Sequence, residues 1–129
     1  MTWEPGQGHY PHQASIDAYG NFGFRFADMS HRGSLLCLPS GMFAWEVERP
    51  EDVTLASLDR VLAHEELDVL LVGLGSDIAA IDPAIRGAFR EKGIIIEAVS
   101  TGSAVRTYNV LLSEDRAVAA ALIAVEQAR

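Results

Sequence analysis

The sequence of 129 residues has little cysteine, little lysine and no long apolar run. Its one cysteine, Cys37, excludes an internal disulfide and favours a reducing compartment, so we expect a cytoplasmic protein. The chain has one lysine, nine arginines and 18 acidic residues, so its net charge is −8. A surface of this charge, without a run of arginines, repels nucleic acid and anionic lipid, so neither is expected as a partner.

A membrane-spanning helix requires about 20 apolar residues, and the longest apolar runs here, at 69–72 and 117–125, are much shorter. The first residues also lack the basic start and apolar stretch of a secretory signal. We therefore expect no direct membrane insertion, and any membrane contact would be peripheral and through a protein partner. The length and the 49% hydrophobic content predict one globular domain.

The first 14 residues contain Pro5 and Pro11 and almost no apolar pattern, which predicts a flexible arm over 1–14 before a domain over 15–129. His9 and His12 within this arm have the spacing of a metal-binding helix. Pro11 disfavours a helix there, so no metal site is expected.

The next part of the chain has the patterns of β-strands. Phe22, Phe24 and Phe26 alternate with other residues, which predicts a strand with three rings on one face. These rings fit a core better than a base-stacking platform, because few cations surround them. Short strands are predicted at 34–38 and 42–47, so this part is a β-hairpin region.

The second half alternates between helix and strand patterns. We predict a helix over 54–65, a buried strand over 68–72, a helix opened by Asp82 and Pro83 and closed by Gly93, and a buried strand over 94–96. These elements form a βαβ unit, and the strand near Met42 would form another if it feeds the helix at Thr54. Two C-terminal helices follow, one capped by Thr101 or Ser103 and an alanine-rich one beginning at Ser113.

Two loops follow the predicted parallel strands, at the sheet edge where α/β proteins bind ligands. The first contains Gly73, Gly75 and Ser76, and the second contains Thr101 and Ser103. Glycines here let the backbone approach a phosphate, although a turn with positive φ explains them equally well. The hydroxyls of the second loop fit an anion site or simple helix capping.

Other reactive side chains give no catalytic constellation. Cys37 lies in an apolar run, where a buried thiol is inert, and Ser76 has no base close in sequence, although His31 and His64 could approach it in space. Tyr108 and Asn109 belong to a polar turn of helix and either tie that helix to the sheet or line a cleft beside the two loops.

Several of these residues together resemble a known family. They are Thr101-x-x-Ala104-x-x-Thr107-Tyr108-Asn109-x-Leu111, Glu114-x-Arg116, Leu71-Val72-Gly73-Leu74-Gly75, Ile16-x-x-Tyr19, Gly33-Ser34 and Trp45. The chain is similar to a family of small α/β domains of unknown function that includes a mitochondrial NADH dehydrogenase (complex I) assembly factor and uncharacterised bacterial and archaeal proteins. The family commonly has glycine at the position of Asp115.

The resemblance implies a three-layer α/β domain with a small mixed sheet, in agreement with the pattern of elements. It also implies an accessory protein that assists assembly of a respiratory NADH dehydrogenase, with a complex subunit or another assembly factor as partner. The family has no established catalytic residues and implies no cofactor. Two hypotheses follow: a non-enzymatic interaction protein, or a domain or enzyme that binds a small molecule or anion with Gly73, Gly75, Ser76, Thr101, Ser103, Tyr108 and Asn109.

Overall fold

The computed structural model describes residues 8–77 and 79–128, which form nine strands and three α-helices. In chain order these are β1 (Gly8–Tyr10), β2 (Ala18–Gly20), β3 (Gly23–Phe26), β4 (Met29–Arg32), β5 (Ser34–Leu38), β6 (Gly41–Trp45), α1 (Asp59–Leu62), β7 (Val69–Gly73), α2 (Pro83–Glu91), β8 (Ile95–Val99), α3 (Thr101–Ser113) and β9 (Val118–Leu122). The fold is a mixed α/β domain with two sheets, which confirms the predicted class.

The larger sheet has six strands in the order β1-β6-β5-β9-β7-β8. β7 is parallel to both β8 and β9, whereas β5 is antiparallel to both β6 and β9. The predicted βαβ unit is confirmed as β7-α2-β8. The second βαβ unit, predicted from the strand near Met42 and the helix at Thr54, does not form between adjacent strands. The strands before and after that helix, β6 and β7, are separated in the sheet by β5 and β9.

The smaller sheet is an antiparallel meander of β2, β3 and β4. Its two-residue turns, Asn21-Phe22 and Ala27-Asp28, have positive φ at both positions, as type I′ hairpin turns require. The predicted hairpin region is therefore present. The expectation of three phenylalanines on one face is wrong for Phe22, which lies in the turn and is 52% exposed, whereas Phe24 and Phe26 are buried.

Both faces of the six-stranded sheet are covered, and alternate residues of each central strand enter opposite cores. Leu70 and Val72 pack with α1 and α2, whereas Leu71 packs with α3 and the meander. This produces three layers, as expected. Strands buried on both faces read as continuous apolar runs, which explains the patterns at 34–38 and 69–72.

Helix α2 begins and ends where the sequence predicts. The Asp82 carboxylate accepts a hydrogen bond from the Ala84 amide at 2.9 Å, Pro83 occupies the first turn, and Gly93 follows the helix with a φ of +77°. Helix α3 also forms as predicted, but its cap is Ser100 rather than Thr101 or Ser103.

The predicted alanine-rich second C-terminal helix is wrong, because this segment is the strand β9. All five of its residues are buried between β5 and β7. Alanine prefers a helix by less than about 1 kcal/mol per residue, and pairing on both edges with burial on both faces outweighs that preference.

The helix predicted over 54–65 is also wrong in length, since only a 3₁₀ turn at Ala56–Leu58 and the four-residue α1 form. The Thr54 hydroxyl accepts a hydrogen bond from the Ser57 amide, and the Ser57 hydroxyl donates to the Thr54 carbonyl. The Ser57 carbonyl is bound by the Trp45 indole at 2.8 Å. The hydrogen bonds between Thr54 and Ser57 are those of a helix N-cap. The indole, in contrast, competes for a carbonyl that a continuous helix would use, which shortens the helix.

Two further expectations are revised at the edges of the large sheet. β8 is an edge strand, and its Ile95 is 65% exposed rather than buried. At the other edge, β1 pairs with β6, so residues 8–10 of the predicted arm belong to the sheet. Residues 1–7 of that arm lie outside the described part of the chain.

Candidate functional site

The loops after β7 and β8 lie side by side, as the sequence predicts. The Leu74 amide donates to the Val99 carbonyl at 2.8 Å, and the Thr101 amide donates to the Gly75 carbonyl at 2.9 Å. The strand ends also meet, because the Ile123 amide donates to the Gly73 carbonyl at 2.9 Å. Five of the seven predicted site residues, Gly73, Gly75, Ser76, Thr101 and Ser103, therefore occur at one edge of the sheet.

Thr101 is the centre of this edge and is fully buried. Its hydroxyl donates to the Ile123 carbonyl at 2.7 Å and accepts from the Gly75 amide at 3.0 Å. A hydroxyl has one proton to donate, and that proton is already engaged. Thr101 therefore joins the ends of β7, β9 and α3 and has no donor for a ligand.

The two glycines have different structural reasons. A Cβ on Gly73 would lie 2.8 Å from the Thr101 Cα, so only glycine permits the close approach of β7 and α3. Gly75 has a φ of +96° with open space where a Cβ would lie, so the backbone conformation favours glycine there.

The serines of these loops surround a small space. Ser76 is exposed, and the Ser103 amide donates to the Ser100 hydroxyl while its own hydroxyl accepts from Arg106. The cavity between the loops is about 30 Å³ and is lined by Tyr19, Gly75, Ser76, Ser100, Gly102, Val125 and Gln127. This volume holds about one water molecule. Ligand binding at these loops stays a prediction.

Tyr108 and Asn109 lie away from the two loops. They follow Thr101 by two turns of α3, about 10 Å at 1.5 Å per residue. The Tyr108 hydroxyl donates to the Ala14 carbonyl at 2.7 Å. The Asn109 amide group donates to the Ile16 carbonyl at 2.9 Å and accepts from the Ile16 amide at 2.8 Å. Both side chains bind the segment that leads into β2.

Cys37 is fully buried in β5, where burial raises the pKa of its thiol and a hydrogen bond with Tyr108 lowers it by less. Burial likewise raises the pKa of the Tyr108 phenol. Neither group is ionised near neutral pH, so the expectation of an inert thiol agrees with its environment.

His31 and His64, which the sequence left as possible catalytic bases for Ser76, form hydrogen bonds with other groups. His31 is buried in β4 and its Nε2 donates to the Ser34 carbonyl at 2.9 Å. His64 donates to the Arg60 carbonyl and bonds with the Ser40 hydroxyl. Within the described ranges no group of three His, Cys, Asp or Glu is placed to hold a metal ion, and the side chain of His9 lies outside them. No helix of the described chain is long and apolar enough to span a membrane.

One surface of the molecule was not predicted from the sequence. We name it the meander face: the outward side of β2–β4, carrying Ala18, Gly20, Gly23, Arg25, Ser30 and Arg32. These residues line an open cavity of about 410 Å³. The signal was present, because Arg25 alternates with the buried phenylalanines and must point away from them.

Comparison with known proteins identifies relatives over most of the chain. The family model described as a protein of unknown function (DUF498/DUF598) matches residues 16–123. An uncharacterised protein of Rhodobacter capsulatus is 44% identical over 108 residues, which cover 84% of this chain and 82% of that protein. NADH dehydrogenase [ubiquinone] 1 alpha subcomplex assembly factor 3 of Xenopus tropicalis is 33% identical over 84% of this chain, and the match covers only 60% of that protein.

The fold has a close counterpart among solved structures. A crystal structure of a Bartonella henselae protein, described as an outer membrane protein, aligns with a TM-score of 0.87 and 51% identity, covering 92% of this chain and all of that one. The family model matches well over half of the chain and spans both sheets and α3. The chain therefore belongs to the DUF498/DUF598 family of proteins of unknown function.

Proposed function

We propose that this chain is an accessory protein rather than an enzyme, and that it binds another polypeptide to assist assembly of a respiratory NADH dehydrogenase. The observation that carries the proposal is its 33% identity, over 84% of its length, to a protein named as an assembly factor of that complex. The partner is a subunit of the complex or another assembly factor.

The residues that carry the family resemblance support a shared scaffold. Thr101 joins three element ends, and Ala104 is fully buried on the inner side of α3. Tyr108 and Asn109 hold the segment before β2. A motif used in this way preserves a fold rather than a reaction centre. Partner recognition then belongs to the surface, where members of one family can differ.

The experiment is recovery of partners from cells that express the tagged chain at its native level. The tag is placed at the N-terminus, because Ala128 lies beside Gly20 and a C-terminal tag would crowd the meander. Membranes are solubilised gently, with and without crosslinking, and recovered proteins are identified by mass spectrometry. We expect reproducible recovery of NADH dehydrogenase subunits or their accessory factors.

A deletion strain provides the second readout, since an assembly factor affects the amount of assembled complex rather than its turnover. We expect less intact NADH dehydrogenase on native gels and unchanged activity per assembled complex. Cells that express only the tag are the control for recovery. Normal assembly in the deletion strain, together with no specific recovery, contradicts the proposal.

A further inference from the structure

Two arginines lie on one face of the small sheet. Arg25 pairs with Ser30 across β3 and β4, and Arg32 is two residues further along β4, so the arginines are diagonal neighbours. Such positions are about 7–8 Å apart, which lets two guanidinium groups bind adjacent oxyanions. Each guanidinium presents a planar pair of donors that matches a carboxylate.

Among residues 8–77 and 79–128, neither Arg25 nor Arg32 has an ion pair or a side-chain hydrogen bond. The nearest acidic residues in the sequence, Asp17 and Asp28, are exposed, and Glu46 and Glu48 share a separate cavity with Arg32. Arg25 and Arg32, which have no ion-pair partner in the described part of the chain, therefore form a local site for negative charge on a chain with a net charge of −8.

The shape of the meander face indicates which kind of anion fits. Ala18 and Gly23 present little side-chain volume beside the arginines, Ala128 lies next to Gly20 at one end, and the cavity is open to solvent. Small-molecule sites enclose most of their ligand, which this surface does not. The three strands, of three or four residues each, span roughly 14 Å by 13 Å, about 180 Å². This is a fraction of a standard protein interface of about 800 Å² per partner. The surface therefore fits the centre of a larger protein contact.

The turn at one end of this face carries an exposed aromatic residue. Phe22 is in the turn between β2 and β3, half exposed, with a φ of +58° that bulky residues rarely adopt. The type I′ hairpin turn requires this conformation. Exposed aromatic and arginine side chains are also the residues that dominate protein interfaces.

We propose that the meander face is the docking surface for the protein partner, and that Arg25 and Arg32 bind two carboxylates of an acidic segment of that partner. The inference rests on the proposed function and names the surface and the partner chemistry that the function would use.

The first test is a titration of the ¹⁵N-labelled chain with an acidic octapeptide containing four glutamates. We expect amide shifts at Gly20, Gly23 and Ser30 that disappear as salt is raised from 20 to about 300 mM, and no shifts with the glutamine version of the peptide. The double variant Arg25→Glu/Arg32→Glu loses the shifts. The control Arg49→Glu/Arg90→Glu changes the net charge equally at exposed sites elsewhere and keeps them.

Three outcomes of the titration overturn the proposal. The first is amide shifts confined to other parts of the chain, and the second is an equal loss of the peptide-induced shifts in both double variants. The third is tighter binding of inorganic phosphate than of the peptide at the same amides. The last outcome would assign the face to a small anion. An unchanged spectrum outside β2–β4 shows that each variant remains folded.

The second test repeats the recovery of partners with the same variants and with Phe22→Gly. We expect Arg25→Glu/Arg32→Glu to reduce recovery at least about tenfold and Phe22→Gly to reduce it less, while the control retains the wild-type amount. Equal recovery by all variants overturns the docking surface and leaves the proposed function standing. No recovery by the wild type contradicts the proposed function, and the peptide titration then decides whether the face binds acidic segments.

Discussion

At His31, burial and hydrogen bonding act on the same imidazole in opposite directions. Burial lowers its pKa, and the hydrogen bond to the Ser34 carbonyl raises it by less. The net pKa is below the usual value of 6.5. The folded chain therefore holds this ring neutral at a pH where the unfolded chain begins to protonate it.

We predict that His31 contributes to the loss of stability under mildly acidic conditions. A lowered pKa gives stability that is present above pH 6.5 and lost as the pH falls below it. The midpoint of urea unfolding is measured between pH 7.5 and 5. His31→Gln, which can keep the bond to Ser34, should reduce the pH dependence. His64→Gln removes another histidine as control, and an equal reduction there would contradict the assignment.

Gly73 and Gly87 are expected to respond to alanine with opposite signs. Gly73→Ala places a Cβ 2.8 Å from the Thr101 Cα and 3.2 Å from the Leu122 Cδ2, which we expect to destabilise the chain by about 1–3 kcal/mol. Gly87 is in the middle of α2 with open space beside it, and Gly87→Ala should stabilise by about 0.5–1 kcal/mol. Urea denaturation measures both, and a stabilising Gly73→Ala would contradict the close approach.

At the scale of elements, α3 ends in a Schellman motif that a non-glycine residue completes. The Arg116 amide donates to the Leu111 carbonyl and the Asp115 amide donates to the Leu112 carbonyl, each at 3.0 Å. Asp115 has a φ of +58° in the left-handed position. Glycine is described above as common in the family at this position, and the left-handed conformation of Asp115 gives the reason.

We predict that Asp115→Gly stabilises the chain by about 1 kcal/mol, because glycine adopts the left-handed conformation without steric cost. The change also removes a negative charge near the negative end of α3, so Asp115→Asn is the matched control for charge. Thermal unfolding should rank Gly above Asn and Asn above the wild type. Equal stability of the Gly and Asn variants would mean that charge, rather than backbone conformation, limits the wild type.

Sequence patterns predict the elements whose signals are local, and fail where tertiary pairing decides. Helix α2 was predictable because Asp82, Pro83 and Gly93 act within a few residues. The segment 118–122 was not, because its alanines prefer a helix in isolation and become a strand only between β5 and β7. For the site, strand topology placed Thr101 beside Gly73, but the partners of Asn109 are 93 residues away and leave no local signal.

At the scale of the whole molecule, the order of layers determines what Cys37 can reach. Its strand β5 is between β6 and β9 in the large sheet, and its side chain packs in the core formed by α3 and the meander. Exposure of the thiol therefore requires separation of that layer from the sheet. Because the chain has only this cysteine, thiol labelling reports a single event.

We predict that Cys37 reacts with a disulfide reagent only through global unfolding. Burial raises the thiol pKa, so the native thiol does not ionise at pH 8.5. The labelling rate of the unfolded chain divided by that of the native chain should therefore equal the reciprocal of the unfolding equilibrium constant from urea titration. For a domain with an unfolding free energy of about 5 kcal/mol, this ratio is roughly 10³–10⁴. A Thr107→Cys/Cys37→Ala control, exposed on α3, should react at the unfolded rate. A much smaller ratio for Cys37 would show that α3 and the meander detach from the sheet before the rest of the molecule unfolds.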